Sequence, residues 1–155
     1  RKPLDQNIYE DLEKVTKSVK GSEIYFLKSP EEINEAGEII AKADRLRFLH
    51  PQCHFEFFAR EIRWTKEENE KMKDGLDINT FDLTPSEIAG MGVASDPVVI
   101  EYLRRWNGGT GFEKMSRKAV RSASSIGLIT MPRFSKDNFV AGGRASQRMW
   151  LKATQ

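Results

Sequence analysis

Ile126-Gly-Leu-Ile-Thr-Met131 is short, apolar and bounded by Ser124-Ser125 and Pro132, the pattern of a fully buried strand. Behind it runs Phe139-Val-Ala-Gly-Gly-Arg-Ala-Ser-Gln-Arg-Met-Trp-Leu-Lys-Ala-Thr-Gln155, helix-like in its spacing and reaching the last residue without a stop signal. Gly142-Gly143 inside that helical pattern costs about 1 kcal/mol per glycine relative to alanine, so close approach of another helix or of a flat ligand is expected to offset it. Arg144 and Gln147 lie three apart, on one face of the same helix, and can reach one neighbour. The plainer reading is that small residues let this helix run through a dense core or a subunit interface.

Upstream, Ile8, Leu12, Val15 and Val19 repeat at helical spacing, and Gly21 is placed to end that helix in a left-handed turn. Glu23-Ile-Tyr-Phe-Leu-Lys28 reads as a strand, and Ser29-Pro-Glu-Glu32 as a capped helix start whose apolar face continues from Ile33 to Leu46 until His50-Pro51 interrupts it. Phe55, Phe58 and Ile62 predict another helix ending near Trp64. Thr65-Lys-Glu-Glu68, Thr84-Pro-Ser-Glu87 and Asp96-Pro97 open three more, and a further helix covers Phe112 to Ser122. Two strands against about seven helices place the chain in the α+β class, helix-rich with a small central sheet in which other strands join these two, whether from this chain, from sequence outside it or from a partner.

A chain of 155 residues predicts one domain, 1–155, able to bury roughly 70% of its unfolded surface. Hydrophobic residues at 39% and charged residues at 31% fit a globular protein rather than a disordered one. No apolar run approaches the ~20 residues of a membrane span and Arg1-Lys-Pro-Leu-Asp5 has no signal-peptide core, so a cytoplasmic, membrane-free setting is expected. The single cysteine, Cys53, asks for no oxidising compartment. With 25 basic residues against 23 acidic ones the net charge is too small to draw polyanions, and nucleic acid is not the expected partner. Arg117, Lys118, Arg121, Arg133, Arg144 and Arg148 do make the C-terminal third locally basic, which leaves a helical nucleic-acid-binding module as a third reading.

His50-Pro-Gln-Cys-His54 groups three potential metal ligands without a second cluster to complete a tetrahedral site, so no metal is assigned and a structural role is preferred. Asn107-Gly-Gly-Thr-Gly111 before a helix can offer backbone N–H groups to a phosphate, but it lacks the lysine of a P-loop, and a helix cap with a flexible turn is favoured.

Three stretches together resemble the nitroreductase family of FMN-dependent flavoproteins. They are Ile40 to Gly75, with Ala41-Lys-Ala-Asp-Arg-Leu-Arg-Phe-Leu-His-Pro51, Phe57-Phe-Ala-Arg-Glu-Ile-Arg-Trp64 and Lys73-Asp-Gly-Leu76; Ser122 to Met131; and Gly142 to Thr154. The likeness is to a divergent branch that includes mycobacterial dormancy-associated nitroreductase-like proteins and nitroreductase domains fused to ubiquitin-activating-like modules. The family's Arg-Ser-Arg type start, which holds the FMN phosphate, and its Asn-x-Gln-Pro-Trp type segment near the flavin ring have no match here, so the chain resembles an interior fragment.

The resemblance implies an oxidoreductase that passes hydride from NAD(P)H to FMN and on to a small-molecule electron acceptor, with the flavin held between the two units of a homodimer or of a tandem pseudo-dimer. It places Gly142, Gly143, Arg144 and Gln147 near the cofactor or a partner helix, names no catalytic residue, and makes residues 55–106 a helical cover over the flavin. The alternative it carries is a flavin-binding or purely structural domain, without turnover, of a larger multidomain protein. Gly143→Leu is expected to disturb the packing of the last helix against its neighbour.

Overall fold

The computed structural model describes residues 2–155, which form two compact units. The first comprises Ala36 and the residues before it together with Ala119–Gln155; the second is Gly37–Lys118.

In the first unit, α1 (Gln6–Lys17) buries Tyr9, Leu12 and Thr16, the last at 0% exposure with its hydroxyl donating to the Leu12 carbonyl at 2.8 Å. The helix ends before Gly21, with Ser18 as its right-handed cap, so Gly21 does not cap it as expected; at φ +85° it makes a left-handed turn that leads into β1 (Glu23–Leu27). β1 pairs antiparallel with β4 (Ile126–Thr130), Tyr25 opposite Leu128 and Phe26 opposite Gly127. Because side chains alternate across a strand, Ile24, Phe26 and Ile129 share one face, and α1 and α8 (Lys136–Ala153) cover it. Tyr9 of α1 meets the Phe26 ring edge-on at 4.9 Å. A side chain at Gly127 would meet Ile24 at 3.2 Å and Met149 of α8 at 3.5 Å, so glycine lets this helix settle onto the sheet. Lys152 with Asp11 at 3.1 Å and Arg148 with the Ser18 hydroxyl at 2.7 Å tie α8 to α1 and the turn after it.

The opposite face of the sheet is bare, which corrects the expectation of a fully buried β4: Leu128 is 54% exposed and Tyr25 59%. An apolar run tells that a segment prefers burial but not that something covers both of its faces. Nor do further described strands join these two, since β2 (Ile62–Arg63) and β3 (Leu76–Asp77) form a separate, parallel pair in the second unit.

Between the units' stretches of chain, α2 (Pro30–Leu49) starts with the expected reciprocal cap: Ser29 Oγ accepts from Glu32 N at 3.2 Å, and the Glu32 carboxylate accepts from Ser29 N at 3.0 Å. In the second unit the single helix expected from Phe55 to Trp64 is instead α3 (Pro51–Phe55), a π-helical turn over Glu56–Glu61, and then β2. Phe57 and Phe58 are adjacent yet both buried, and the wider π turn accommodates what the regular period spreads around the helix. They join Leu49, Ile78, Ile100 and Phe112 in an aromatic-rich core. α4 (Lys66–Met72) and α5 (Pro85–Ala94) carry complete capping boxes at Thr65 and Thr84, as their sequences predict. α6 (Pro97–Arg105) and α7 (Thr110–Ser122) follow, with Asn107 and Gly109 at positive φ between them. The outcome is helix-rich α+β with small two-stranded sheets.

Candidate functional site

The last helix is set by its ends and its inner face. Ser135 caps it, accepting from Asn138 N at 3.3 Å, while the Asn138 amide donates back to the Arg133 carbonyl at 2.8 Å. Inward lie Gly142, Ala145 at 0% exposure, and Met149. A side chain at Gly142 would stand 3.2 Å from Met131 Cγ, just after β4, so this glycine serves the packing of helix on sheet.

The outer face carries the other three residues expected at a site. Gly143, Arg144 and Gln147 line one shallow groove of about 840 Å³ with Val140, Trp150 and Leu151. No atom lies within 4 Å of the place where a Gly143 side chain would begin. Arg144 and Gln147 have no hydrogen-bond or ion-pair partner among the described residues, and Trp150 is 72% exposed beside them. The groove thus offers a guanidinium and an amide at its centre, apolar surface at its ends and a gap over a glycine. That donor set fits the edge of a flat, oxygen-rich ring or an anionic group. Its remaining lining residues are Ser146 and Thr154, and none of its side chains is redox-active, so redox chemistry there would have to come from a bound cofactor.

Sequence reasoning grouped four residues and the structure brings three of them together, Gly142 facing the other way. It left Trp150 and Leu151 out of that group, although Gly143, Gln147 and Trp150 repeat at helical spacing.

The other candidates resolve differently. His54 is 4% exposed, its Nε2 lies 2.8 Å from the Ala94 carbonyl and its ring packs on Phe58. No group of three or more His, Cys, Asp or Glu side chains is placed to hold a metal ion among the described residues. The Asn107–Gly111 loop turns carbonyls, not N–H groups, toward its charged neighbour. Arg45 donates through Nε to the Gly108 carbonyl at 2.8 Å and through Nη2 to the Asn107 carbonyl at 2.6 Å. Of the basic residues in the C-terminal third, Arg117 pairs with Glu38 and Glu113, Lys118 with Glu87, and Arg148 with Ser18. No described helix is long and apolar enough to cross a membrane.

No family model matches the sequence, and no solved structure matches it. An uncharacterized protein of Mycobacterium tuberculosis (strain CDC 1551 / Oshkosh), MT1398, is 29% identical over 140 residues, which are 90% of this chain and 19% of that protein. The chain therefore spans about a fifth of the length of the curated relative it matches.

Proposed function

We propose that this chain is part of an FMN-dependent oxidoreductase of nitroreductase type. The reading rests on the resemblance of Ser122 to Met131 and of Gly142 to Thr154 to that family's strand and helix. The observation that supports it best is the outer face of α8, where Gly143 leaves open space and Arg144 and Gln147 stand unpartnered. Gly143 admits a planar group close to the helix backbone, Arg144 neutralises an anionic ring edge or phosphate oxygen, and the Gln147 amide donates to or accepts from ring heteroatoms. Bound there, FMN would supply hydride transfer from NAD(P)H to a small-molecule acceptor; the protein's part is to orient the ring and exclude water. Residues 55–106 as a cover over the flavin, and a second unit completing the site as homodimer or tandem pseudo-dimer, belong to the same proposal.

A second reading is a structural or flavin-binding domain without turnover. It is favoured by the apolar share of the same face, since Val140, Trp150 and Leu151 are each at least 60% exposed and suit a protein partner as well as a ring.

An absorbance spectrum of the purified protein, followed by anaerobic addition of NADPH and then NADH, tests both. A band near ~450 nm that bleaches with nicotinamide is the expected result, the bound cofactor carrying the chemistry. A band that persists supports binding without turnover, and a colourless protein overturns the flavin reading.

A further inference from the structure

The second unit holds a cavity whose lining shares no residue with the α8 groove. It measures about 430 Å³, within the range of small-molecule sites, and is enclosed by α3, the π-helical turn, Trp64 and α6. Its walls are aromatic and aliphatic: Phe55, Phe58, Trp64, Pro97 and Ile100. The Phe58 and Trp64 rings, both in the wall, stack on each other within 11° of parallel. Ala59, also in the wall, leaves space where a larger residue of the π turn would fill it. π turns are rare and concentrate at functional sites, and this one shapes the cavity wall.

The polar groups are few and placed to orient a ligand. His54, in the cavity wall, has its Nε2 committed to the Ala94 carbonyl at 2.8 Å, which leaves Nδ1 as the other polar atom of the ring. At the mouth, Glu101 is already paired with Arg105, whereas the Arg104 guanidinium has no hydrogen-bond or ion-pair partner among the described residues. The Arg104 guanidinium beside an already paired carboxylate selects an anion at the mouth, and the aromatic walls select a ring behind it.

We infer that this cavity binds a small aromatic carboxylate of one or two rings, its ring between Phe58 and Pro97 and its carboxylate on Arg104.

Calorimetric titration of the full chain with indole-3-acetate, and with the neutral analogue indole-3-ethanol, provides the test. Indole-3-acetate is expected to bind and the alcohol to bind more weakly. Arg104→Gln should weaken the acid about tenfold, one charge-assisted hydrogen bond, and leave the alcohol unchanged. Ala59→Trp, which fills the cavity from an exposed position, should abolish both, with thermal unfolding of each variant confirming an intact fold. No saturable binding of the acid up to ~1 mM overturns the inference. So does binding that neither substitution alters.

Discussion

Gly142 and Gly143 are neighbours in α8 with opposite surroundings. The first faces Met131 at 3.2 Å and the second faces open space. Gly142→Leu therefore forces a side chain into an occupied position and should destabilise the chain by about 1–3 kcal/mol, the usual range for overpacking. Gly143→Ala meets nothing, removes the backbone entropy cost of glycine and should stabilise by up to ~1 kcal/mol. Urea unfolding of the two variants separates these outcomes, and equal effects would show that the two glycines do the same job. The expected disturbance from Gly143→Leu is accordingly confined to whatever packs on the outer face, because within the described chain that side chain touches no neighbour. Spacing showed that Arg144 and Gln147 share a face; which glycine faced inward depended on the strand end that α8 lies against.

Between elements of the second unit, charge adds to the aromatic core. Glu113 of α7 accepts from Arg117 at 2.7 Å and from Arg45 of α2 at 3.0 Å, while Arg117 also donates to Glu38 at 2.6 Å. The Arg117 hydrogen bond, aided by Arg45, holds the Glu113 carboxyl below the ordinary carboxylate value against the opposing effect of burial. A group whose pKa is depressed on folding stabilises above its unfolded value, and that contribution is lost as pH falls through the folded value. Glu113→Gln should thus lower thermal stability at neutral pH, and the gap to the parent should close in acid, below about pH 4. Melting curves across that range check it; a gap independent of pH would mean that packing, not charge, is what the substitution removes. Caps were the most legible part of these elements, since Ser29, Thr65 and Thr84 each sit three residues before a glutamate and act locally. The π turn and the β2–β3 pair were not legible, because two-residue strands and an extra residue in a helix leave no period to detect.

Across the whole molecule the two units differ in how well they close their own surfaces. The second encloses an aromatic core of its own. In the first, one sheet face shows Tyr25 and Leu128, and α8 shows Phe139, Val140, Trp150 and Leu151. Apolar surface of this kind marks contact with another protein segment or ligand. Trp150→Ser removes a side chain that is 72% exposed, so it should change the chain's own stability by no more than ~0.5 kcal/mol while weakening association through this face. Sedimentation velocity over a concentration series would register that loss; unaltered association would move the interface elsewhere.

The sequence by itself determined where the helices capped by Ser29, Thr65, Thr84 and Asp96 begin, which class the chain belongs to and which residues of α8 share a face, because caps and periodicity act within a few residues of each other. Only the tertiary structure decided that β4 is bare on one side, that Gly142 packs while Gly143 does not, and that His54, Trp64 and Arg104 meet around one cavity. Burial and pocket formation depend on residues up to about fifty positions apart, and no local pattern encodes what the far wall will be.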